Sequence, residues 1–337
     1  MNKLIISEFE KLTKQIDHDI DNSKNSNERM KNLFRLKQIG NALNIIKNYK
    51  QKISSGIQLK DVKGIGKGVI SRIDEILGHG KLSEITMQTQ DINISNSIDE
   101  LKEIYGIGDK MANDLVKNYD IKSVEELVKA NKNGDIKLNN NVLVGLKYRK
   151  KYKQQIPRCE MQKMETYIQT IAKKINGKLE VRICGSYRRE KPFSNDIDCM
   201  LAHPSIVSKD DILNKKNYLH KFIEYLKDEE FIVDSLTSDT VDTKFMGFCQ
   251  YKKKPIRRID IRYIPYESYY SALLYFTGSG SFNQAMRKEA KKKGYKLNEY
   301  GLFKIKSDDT YKIIKVKSEK DIFKKLGMDY VEPKDRL

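Results

Sequence analysis

The most informative segment of the chain is Cys184-Gly-Ser-Tyr-Arg-Arg189, followed after four further residues by Ser194-Asn-Asp-Ile-Asp198. Side chains of a strand alternate between its two faces, so Asp196 and Asp198 are predicted to project to one side while Ile197 faces the core. Two carboxylates held close together repel, and each resists ionisation. A divalent cation removes that repulsion, and hard carboxylate oxygens suit Mg²⁺.

A third carboxylate lies farther along the chain, in Arg257-Arg-Ile-Asp-Ile-Arg262. The same alternation places Asp260 and its flanking arginines opposite Ile259 and Ile261. Three acids on two predicted strands, beside a Gly-Ser turn with arginines, predict a two-metal phosphoryl-transfer site. An Asp-x-Asp pair alone is common on protein surfaces. A carboxylate pair inside an apolar strand is costly unless something compensates it, so a functional site is favoured.

Strands and helices are predicted on both sides of these motifs. The strands are expected over residues 179–184, 197–201 and 256–264, and the helices over 161–175 and 281–293, with a hairpin-like stretch over 302–316. This mixture indicates an α+β fold from about Ile156 onward.

Residues 1–90 are predicted to be helical instead. Apolar residues recur there at three- and four-residue spacing, which predicts an amphipathic helix after a polar loop over 21–27. The residues of this stripe are Leu33, Leu36, Ile39, Ala42, Leu43, Ile46 and Tyr49.

Two segments then resemble each other, Leu59-Lys-Asp-Val-Lys-Gly-Ile-Gly66 and Leu101-Lys-Glu-Ile-Tyr-Gly-Ile-Gly108. Each predicts a short helix, a turn and a second helix, and the glycines allow close approach of a ligand. Free amides at the start of the second helix suit a phosphate. One such Gly-x-Gly is more often a plain turn. Two copies flanked by lysines resemble helix-hairpin-helix modules, which grip the DNA backbone without reading sequence.

The charge of the chain agrees with such a partner without proving it. The 337 residues include 65 Lys+Arg and 46 Asp+Glu, a formal charge of +19. This positive field attracts polyanions such as nucleic acid or an anionic membrane face, although a lysine-rich surface from an AT-rich genome is an equal explanation. No apolar run reaches the roughly 18 residues of a membrane span, so a soluble intracellular protein is expected. Four scattered cysteines predict reduced core thiols rather than disulfides or a zinc site, and they are Cys159, Cys184, Cys199 and Cys249.

Taken together, these motifs resemble the X family of DNA polymerases, and most closely its beta-type members, over almost the whole chain. The resemblance is carried by Gly64-Ile-Gly66, Gly106-Ile-Gly108, Gly185-Ser186, Asp196-Ile-Asp198, Thr243-Lys-Phe-Met-Gly247, Arg257-Arg-Ile-Asp-Ile-Arg262, Tyr275-Phe-Thr-Gly-Ser279, Phe282-Asn283, Met286-Arg287, Asn298-Glu-Tyr300 and Glu332-Pro-Lys-Asp-Arg336. The resemblance implies four parts. Residues 1–90 would form a lyase-type domain that binds DNA and 5′-phosphate, and residues 91–155 a second DNA-binding subdomain. Residues 156–266 would form a catalytic palm, and residues 267–337 a nucleotide-selection subdomain. The polar stretch over 88–97 is expected to mark the first boundary.

The resemblance also implies roles for single residues. Asp196 and Asp198 would bind two Mg²⁺ ions, for which Mn²⁺ can substitute, while Asp260 would bind the catalytic metal and the primer 3′-oxygen, oriented by Arg258. The triphosphate would be held by Gly185, Ser186, Arg189 and Ser194. Tyr275 and Phe276, beside Gly278, would border the deoxyribose, Asn283 the incoming base, Arg287 the template strand and Lys244 the template backbone. Backbone carbonyls would bind Na⁺ or K⁺ in each hairpin, at Lys60, Val62 and Ile65 and at Lys102, Ile104 and Ile107.

One departure from the beta-type pattern concerns a second activity, the removal of 5′-deoxyribose phosphate through a lysine Schiff base. Arg72 stands at the nucleophile position, and a guanidinium stays protonated and cannot form that imine. Lyase activity is therefore predicted to be weak or absent, with 5′-phosphate binding kept. The residues expected to bind it are Arg35, Arg72, Lys60 and Lys67; Lys63, Lys67 or Lys81 as a substitute nucleophile is the alternative.

Smaller departures affect nucleotide handling and charge. Gly280 replaces an acid and Gln155 an arginine, and both changes could lower nucleotide affinity. The loop over 251–255 is predicted to be a solvated hairpin rather than a nuclear-localisation signal, and lysines 291–293 are predicted to contact DNA.

The predicted function is template-directed gap filling in DNA repair on gapped or nicked duplex with dNTPs, by a monomer in the nucleus or cytoplasm, or in a virion if the source is viral. The alternatives are template-independent nucleotide addition to DNA or RNA ends, and a non-catalytic module that only binds DNA ends.

Overall fold

The amino-terminal part of the chain is built from helices, as predicted. In this computed structural model the described residues are 2–86, 89–149, 151, 154–214, 217–238, 241–307 and 310–336. The helices are α1 (Lys3–Asp21), α2 (Ser26–Asn48), α3 (Lys67–His79), α4 (Thr89–Lys102), α5 (Asp109–Asn118), α6 (Val124–Asn133) and α7 (Asn140–Tyr148), with a 3₁₀ turn at Gly56–Leu59.

Local sequence signals explain where α2 begins and which face it buries. The Asn25 side chain accepts a hydrogen bond from the Glu28 amide, which caps the helix after the predicted polar loop. Ile39 and Ile46 are buried, as the apolar spacing predicts. Leu33 is 41% exposed, so its place in the stripe was wrong, because the buried residues of α2 begin only at Ile39.

The chain divides into two compact units, Met1–Glu103 with Ile107–Lys137, and Ile104–Gly106 with Leu138–Leu337. The stretch expected as the first domain boundary is helical in its described part, since α4 begins at Thr89; Gln88 lies outside the described residues. The four-part division of the chain stays a prediction.

The second unit mixes helices and strands. Its strands are β1 (Ile156–Pro157), β2 (Glu180–Ile183), β3 (Phe193–Ser194), β4 (Ile197–Ala202), β5 (Ile232–Ser235), β6 (Lys244–Cys249), β7 (Arg257–Ile264), β8 (Tyr295–Asn298), β9 (Gly301–Ile305) and β10 (Tyr311–Ile314). Its helices besides α7 are α8 (Arg158–Ile175), α9 (Gly185–Arg188), α10 (Lys209–Asn214), α11 (Tyr218–Asp228), α12 (Tyr269–Thr277), α13 (Gly280–Lys292) and α14 (Glu319–Lys325). The predicted α+β class is confirmed, although β1, β3, β5, β6 and β8 were not among the predicted strands.

A five-stranded mixed sheet forms the centre of this unit, in the order β2-β4-β7-β6-β5. Strands β4 and β7 are parallel, and all other neighbours are antiparallel. Ile197 pairs with Ile259 and Asp198 with Asp260 in the parallel register. Ile197 and Ile259 are buried, which confirms the predicted alternation.

Strands β8, β9 and β10 form a separate antiparallel sheet near the carboxyl terminus. Its core includes Leu297 and Leu302 together with Phe323 of α14. The pairing of β9 with β10 confirms the predicted hairpin.

Three of the four cysteines are buried and have no disulfide, as expected. Burial raises the pKa of the Cys184 thiol to about 12, so this group is inert at neutral pH. Cys159 is exposed, which corrects its prediction as a core thiol; it lies at the start of α8, outside the buried face of that helix.

Candidate active site

The Gly-Ser turn leads from β2 into the short helix α9. Gly185 adopts a φ of +54°, and a Cβ at this position would collide with the Asp198 carboxylate. Glycine is therefore required here for two reasons, the left-handed backbone and the close approach of β4. The turn thus lies directly against one of the predicted metal ligands.

The three predicted acidic ligands lie near the start of the parallel pairing between β4 and β7. Asp196 directly precedes β4, Asp198 lies on β4, and Asp260 is the register partner of Asp198 on β7. Burial raises the pKa of Asp198 to about 7, and the charges of Asp196 and Asp260 add to the shift. Burial, followed by the charge of Asp260, also raises the pKa of Asp196. The predicted crowding of carboxylates is therefore present.

A positively charged neighbour engages Asp260. The Nε atom of Arg258 donates to Asp260 Oδ1 at 2.8 Å, and Nη2 lies 2.6 Å from the same oxygen. Arg258 is only 9% exposed. The predicted orienting contact between these two residues is thus formed through one carboxylate oxygen.

The donor set fits a hard divalent cation, because Asp198 and Asp260 are register partners on β4 and β7 and Asp196 directly precedes β4, and two of these three carboxylates have raised pKa values. Among the residues that the structure describes, however, no three acidic, histidine or cysteine side chains are arranged as a ready metal site. The carboxylates would have to turn to share an ion.

The residues predicted to hold a triphosphate lie close to these acids. Ser186 Oγ donates to Ser194 Oγ at 2.8 Å, which joins the turn to β3. Arg189 donates from Nη1 to the carbonyl of Thr277, next to Gly278. Burial lowers the pKa of the Arg189 guanidinium from its ordinary value, yet this group stays charged at neutral pH. Hydroxyls and a cation therefore converge where a phosphate could bind.

The predicted nucleotide-selection residues contact one another at the α12–α13 junction. Asn283 donates from Nδ2 to the carbonyl of Tyr275 at 2.7 Å. The Arg287 guanidinium lies 4.9 Å from the centre of the Tyr275 ring and 3.7 Å from Glu299. Phe276 packs edge-on against Tyr275. A nucleotide or template contact by Asn283 or Arg287 would replace these internal bonds.

Each of the two Gly-Ile-Gly turns precedes a helix whose first amides have no side-chain cap. Gly66 precedes α3 and Gly108 precedes α5, and neither helix has a side-chain hydrogen bond at its cap. Gly64 and Gly106 have φ values of +100° and +93°, which require glycine. A Cβ at Gly66 or Gly108 would meet nothing within 4 Å, so both helix ends are open to a ligand. Lys102 forms an ion pair with Asp109 beside the second turn.

The arginines predicted to bind a 5′-phosphate share an internal counterion. Arg35 Nη2 lies 2.6 Å from Glu84 Oε2, and Arg72 Nη2 donates to the same oxygen at 3.0 Å. Arg72 also bonds Glu84 through Nε and the carbonyl of Gly68 through Nη1. Lys60 and Lys67 are exposed. Glu84 therefore occupies the binding groups that the phosphate would need.

The remaining predicted contacts lie on the surface. Lys244 begins β6 and pairs in register with Arg262. The loop over 251–255 joins the antiparallel strands β6 and β7 and exposes its three lysines, which confirms the solvated hairpin. Gly280 and Gln155 are exposed. Lysines 291–293 are also exposed, but Lys293 donates to the carbonyl of Leu326.

Two buried ion-pair groups were missed in the sequence reasoning. Glu319 binds Arg188 through both oxygens at 3.0 and 2.6 Å, and Arg336 at 2.7 Å. Arg257 bonds Glu160 at 2.9 and 3.1 Å. Only the presence of Arg336 in the terminal motif pointed to the first group, because the partners lie far apart in sequence.

A Gly-Ser turn against two acids on adjacent strands, with a third acid directly before one of these strands, is the arrangement of a nucleotidyltransferase palm. Family models agree: residues 155–266 match the DNA polymerase beta palm, 272–337 the DNA polymerase beta thumb, and 1–82 a helix-hairpin-helix domain. The chain belongs to the X family of DNA polymerases, which confirms the resemblance seen in its motifs.

Named relatives support the same family. The chain is 31% identical over 317 residues to DNA polymerase lambda of Arabidopsis thaliana and 30% identical over 310 residues to that of Rattus norvegicus, with 88% of this chain covered in each case. It is 26% identical over 331 residues to DNA nucleotidylexotransferase of Xenopus laevis, again with 88% of this chain covered. The aligned parts are 56%, 51% and 62% of these relatives, so the chain spans about half the length of the curated proteins it matches.

Proposed function

We propose that this chain is a template-directed DNA polymerase that fills short gaps in DNA repair. The observation that carries the proposal is the parallel pairing of Asp198 with Asp260 against the Gly185 turn, in a chain with beta-type palm and thumb segments. Its substrates would be gapped or nicked duplex DNA and dNTPs. We expect it to act as an intracellular monomer, in the nucleus or the cytoplasm.

The reaction would join the primer 3′-oxygen to the α-phosphorus of the dNTP and break the bond to pyrophosphate. Asp196, Asp198 and Asp260 would hold two Mg²⁺ ions, which when bound supply Lewis-acid stabilisation of the charge on the phosphates. Arg258 would fix the orientation of Asp260. Arg189 would bind the triphosphate, with Ser186 and Ser194 as further hydrogen-bond donors to it.

Selection of the nucleotide would take place at the α12–α13 junction. Tyr275 and Phe276 would border the deoxyribose beside Gly278 and disfavour a 2′-hydroxyl. Asn283 would contact the base and Arg287 the template strand. Because Asn283 and Arg287 both contact Tyr275, binding of the correct nucleotide would exchange these internal contacts for contacts with the substrate.

Grip on the DNA backbone would come from the two hairpins. Uncapped amides at α3 and α5 suit phosphates, and the carbonyls of both turns would hold Na⁺ or K⁺. Lys244 and Lys291 would add backbone contacts. Each such contact releases counterions, so DNA binding should weaken steeply with salt.

The 5′-phosphate of the gap would bind at Arg35 and Arg72, with Lys60 and Lys67 nearby. Glu84 bonds to both arginines, so the phosphate must compete with this carboxylate for them. Because of this competition, we expect only a modest preference for 5′-phosphorylated gaps, even though two arginines can bind the phosphate.

Borohydride trapping on an incised abasic site should give no strong covalent adduct with this protein. Arg72 cannot form an imine, and its guanidinium is held by Glu84. The measurement is the fraction of protein crosslinked to labelled DNA. A robust adduct would contradict the prediction, and Lys63→Ala, Lys67→Ala and Lys81→Ala variants would then identify the substitute nucleophile.

Primer extension on a one-nucleotide gap, with and without a 5′-phosphate, tests the proposed function. Addition of only the templated nucleotide is expected, with a lower KM for DNA when the phosphate is present. Addition of any nucleotide irrespective of template would favour terminal transfer instead, an activity named for one relative. DNA binding without extension would favour a non-catalytic module.

A further inference from the structure

Tyr105 lies in the second compact unit and contacts Arg258 of the candidate active site. It directly precedes Gly106, and the Arg258 guanidinium lies 4.3 Å from the centre of its ring. Arg258 Nη2 also donates to the Tyr105 hydroxyl at 3.5 Å. The same guanidinium bonds Asp260 Oδ1 through Nε and Nη2. One buried cation therefore lies between an aromatic ring and a predicted metal ligand.

Arg258 has few other groups to hold its charge. It is 9% exposed, and its strand neighbour Phe248 contributes a second aromatic ring at 5.9 Å. A guanidinium withdrawn from water gains most from contact with an aromatic face. Without the Tyr105 ring, the guanidinium would have more room to leave its position on Asp260.

Tyr105 is itself held in place by its backbone and its ring. A Cβ at Gly145 of α7 would collide with the Tyr105 carbonyl, so this helix lies in direct contact with the turn. The ring packs against the cluster of Val144, Tyr148 and Phe248, and its hydroxyl lies 3.8 Å from Met246 Sδ. The position of the Tyr105 ring is therefore fixed, and the Arg258 guanidinium packs against it.

The arrangement leaves Asp260 with one oxygen bound and one available. Both Arg258 contacts use Oδ1. Within the described ranges Asp260 Oδ2 makes no hydrogen bond, so this oxygen can serve a cation. We propose that Tyr105 is a positioning residue that holds Arg258 and, through it, keeps Asp260 oriented for metal binding and catalysis. The inference rests on the proposed polymerase function.

The alternative is that Tyr105 has only a structural role, as a packing residue. Its partly buried ring would then contribute to the Phe248 cluster without any effect on turnover. The two roles can be distinguished by comparing a variant that loses only the Tyr105 ring with a variant that loses packing elsewhere in the same cluster. Val144 supplies the matched control, because it is 6% exposed, belongs to the same cluster and has an aliphatic side chain that cannot hydrogen-bond Arg258 or Asp260.

The test compares Tyr105→Leu, Tyr105→Phe and Val144→Ala on the one-nucleotide gap. Tyr105→Leu should lower kcat about tenfold with the KM for dNTP unchanged, because an outer support of a metal ligand is lost. Tyr105→Phe keeps the ring and should stay within about threefold of wild type. Val144→Ala should lower the melting temperature but leave kcat within about twofold.

A double-mutant cycle tests whether the effect passes through the guanidinium. Adding Tyr105→Leu to Arg258→Met should cost less than about threefold in kcat, since the cation that Tyr105 supports is already gone. Mn²⁺ titration of the metal-bound signal is the second readout, and Tyr105→Leu should weaken Mn²⁺ binding about fivefold while Val144→Ala does not.

Three results would overturn the inference: a folded Tyr105→Leu protein with wild-type kcat and Mn²⁺ affinity, an equal loss in Val144→Ala, or full additivity with Arg258→Met. If wild type extends no primer, the proposed function fails while the Mn²⁺ titration still decides the role of Tyr105.

Discussion

Asp198→Asn is expected to reduce primer extension by at least about 10³-fold while making the metal-free protein more stable. The pKa of Asp198 is raised from 3.8 to about 7 by burial and by its acidic neighbours, so its ionised form destabilises the folded state. A neutral amide of the same shape removes that cost but cannot replace the carboxylate as a ligand. Loss of activity with a gain in stability separates a site residue from a structural one.

The stability gain should depend on pH in a defined direction. An acid whose pKa is raised on folding destabilises the protein progressively as pH rises from its unfolded value of 3.8 to its folded value of about 7. The gain from Asp198→Asn should therefore be about 1–3 kcal/mol near pH 8 in a chelator and mostly vanish near pH 4.5. Chemical denaturation at both pH values measures it.

Asp234→Asn is the matched control for this variant. Asp234 lies on β5 of the same sheet and pairs with Lys147 at 2.8 Å at the surface. Its replacement should change extension less than about twofold and stability by less than about 0.5 kcal/mol. An Asp198→Asn protein that retains extension within tenfold, or melts lower in chelator, would remove Asp198 from the proposed site.

Glu319→Gln is expected to lower the free energy of unfolding by about 3–5 kcal/mol at neutral pH. Glu319 is 6% exposed and is the shared partner of Arg188 and of Arg336, which is fully buried. Removing one acid leaves two arginine charges without their counterion in the interior. Arg188 also precedes Arg189, which is proposed to bind the triphosphate, so the KM for dNTP should rise in the same variant.

The pH dependence of this ion group follows from its pKa. Burial alone would raise the pKa of Glu319, but hydrogen bonds from Arg188 and Arg336 outweigh it and lower the pKa below its ordinary value. The resulting stability is present above the unfolded value of 4.5 and is lost as pH falls through the lower folded value. Wild type should lose stability in that acidic window, and Glu319→Gln should lose much less.

Glu332→Gln provides the comparison, since Glu332 is an exposed acid close to Arg336 in sequence. It should change the free energy of unfolding by less than about 0.5 kcal/mol. A Glu319→Gln effect below about 1 kcal/mol would mean that the amide and solvent satisfy both arginines, contrary to the burial seen here.

Local patterns were enough to predict which residues of the palm come together. The alternation around Ile197 and Ile259 placed three acids away from the core, and the Gly-Ser turn was readable as a ligand-binding turn, because strand periodicity and glycine geometry are properties of a few adjacent residues. Exposure was predicted less well: Leu33 and Cys159 are exposed, since burial depends on which elements pack around a helix.

The family, the fold class and the grouping of Asp196, Asp198 and Asp260 could be predicted from sequence motifs alone. The partners of the arginines depend on the tertiary structure: Glu84 for Arg35 and Arg72, Glu319 for Arg188 and Arg336, and Tyr105 for Arg258. Tyr105 and Arg258 are 153 positions apart, and Arg188 and Glu319 are 131 apart. No local periodicity links residues so distant, because their contact exists only after sheet pairing and helix packing have brought them together.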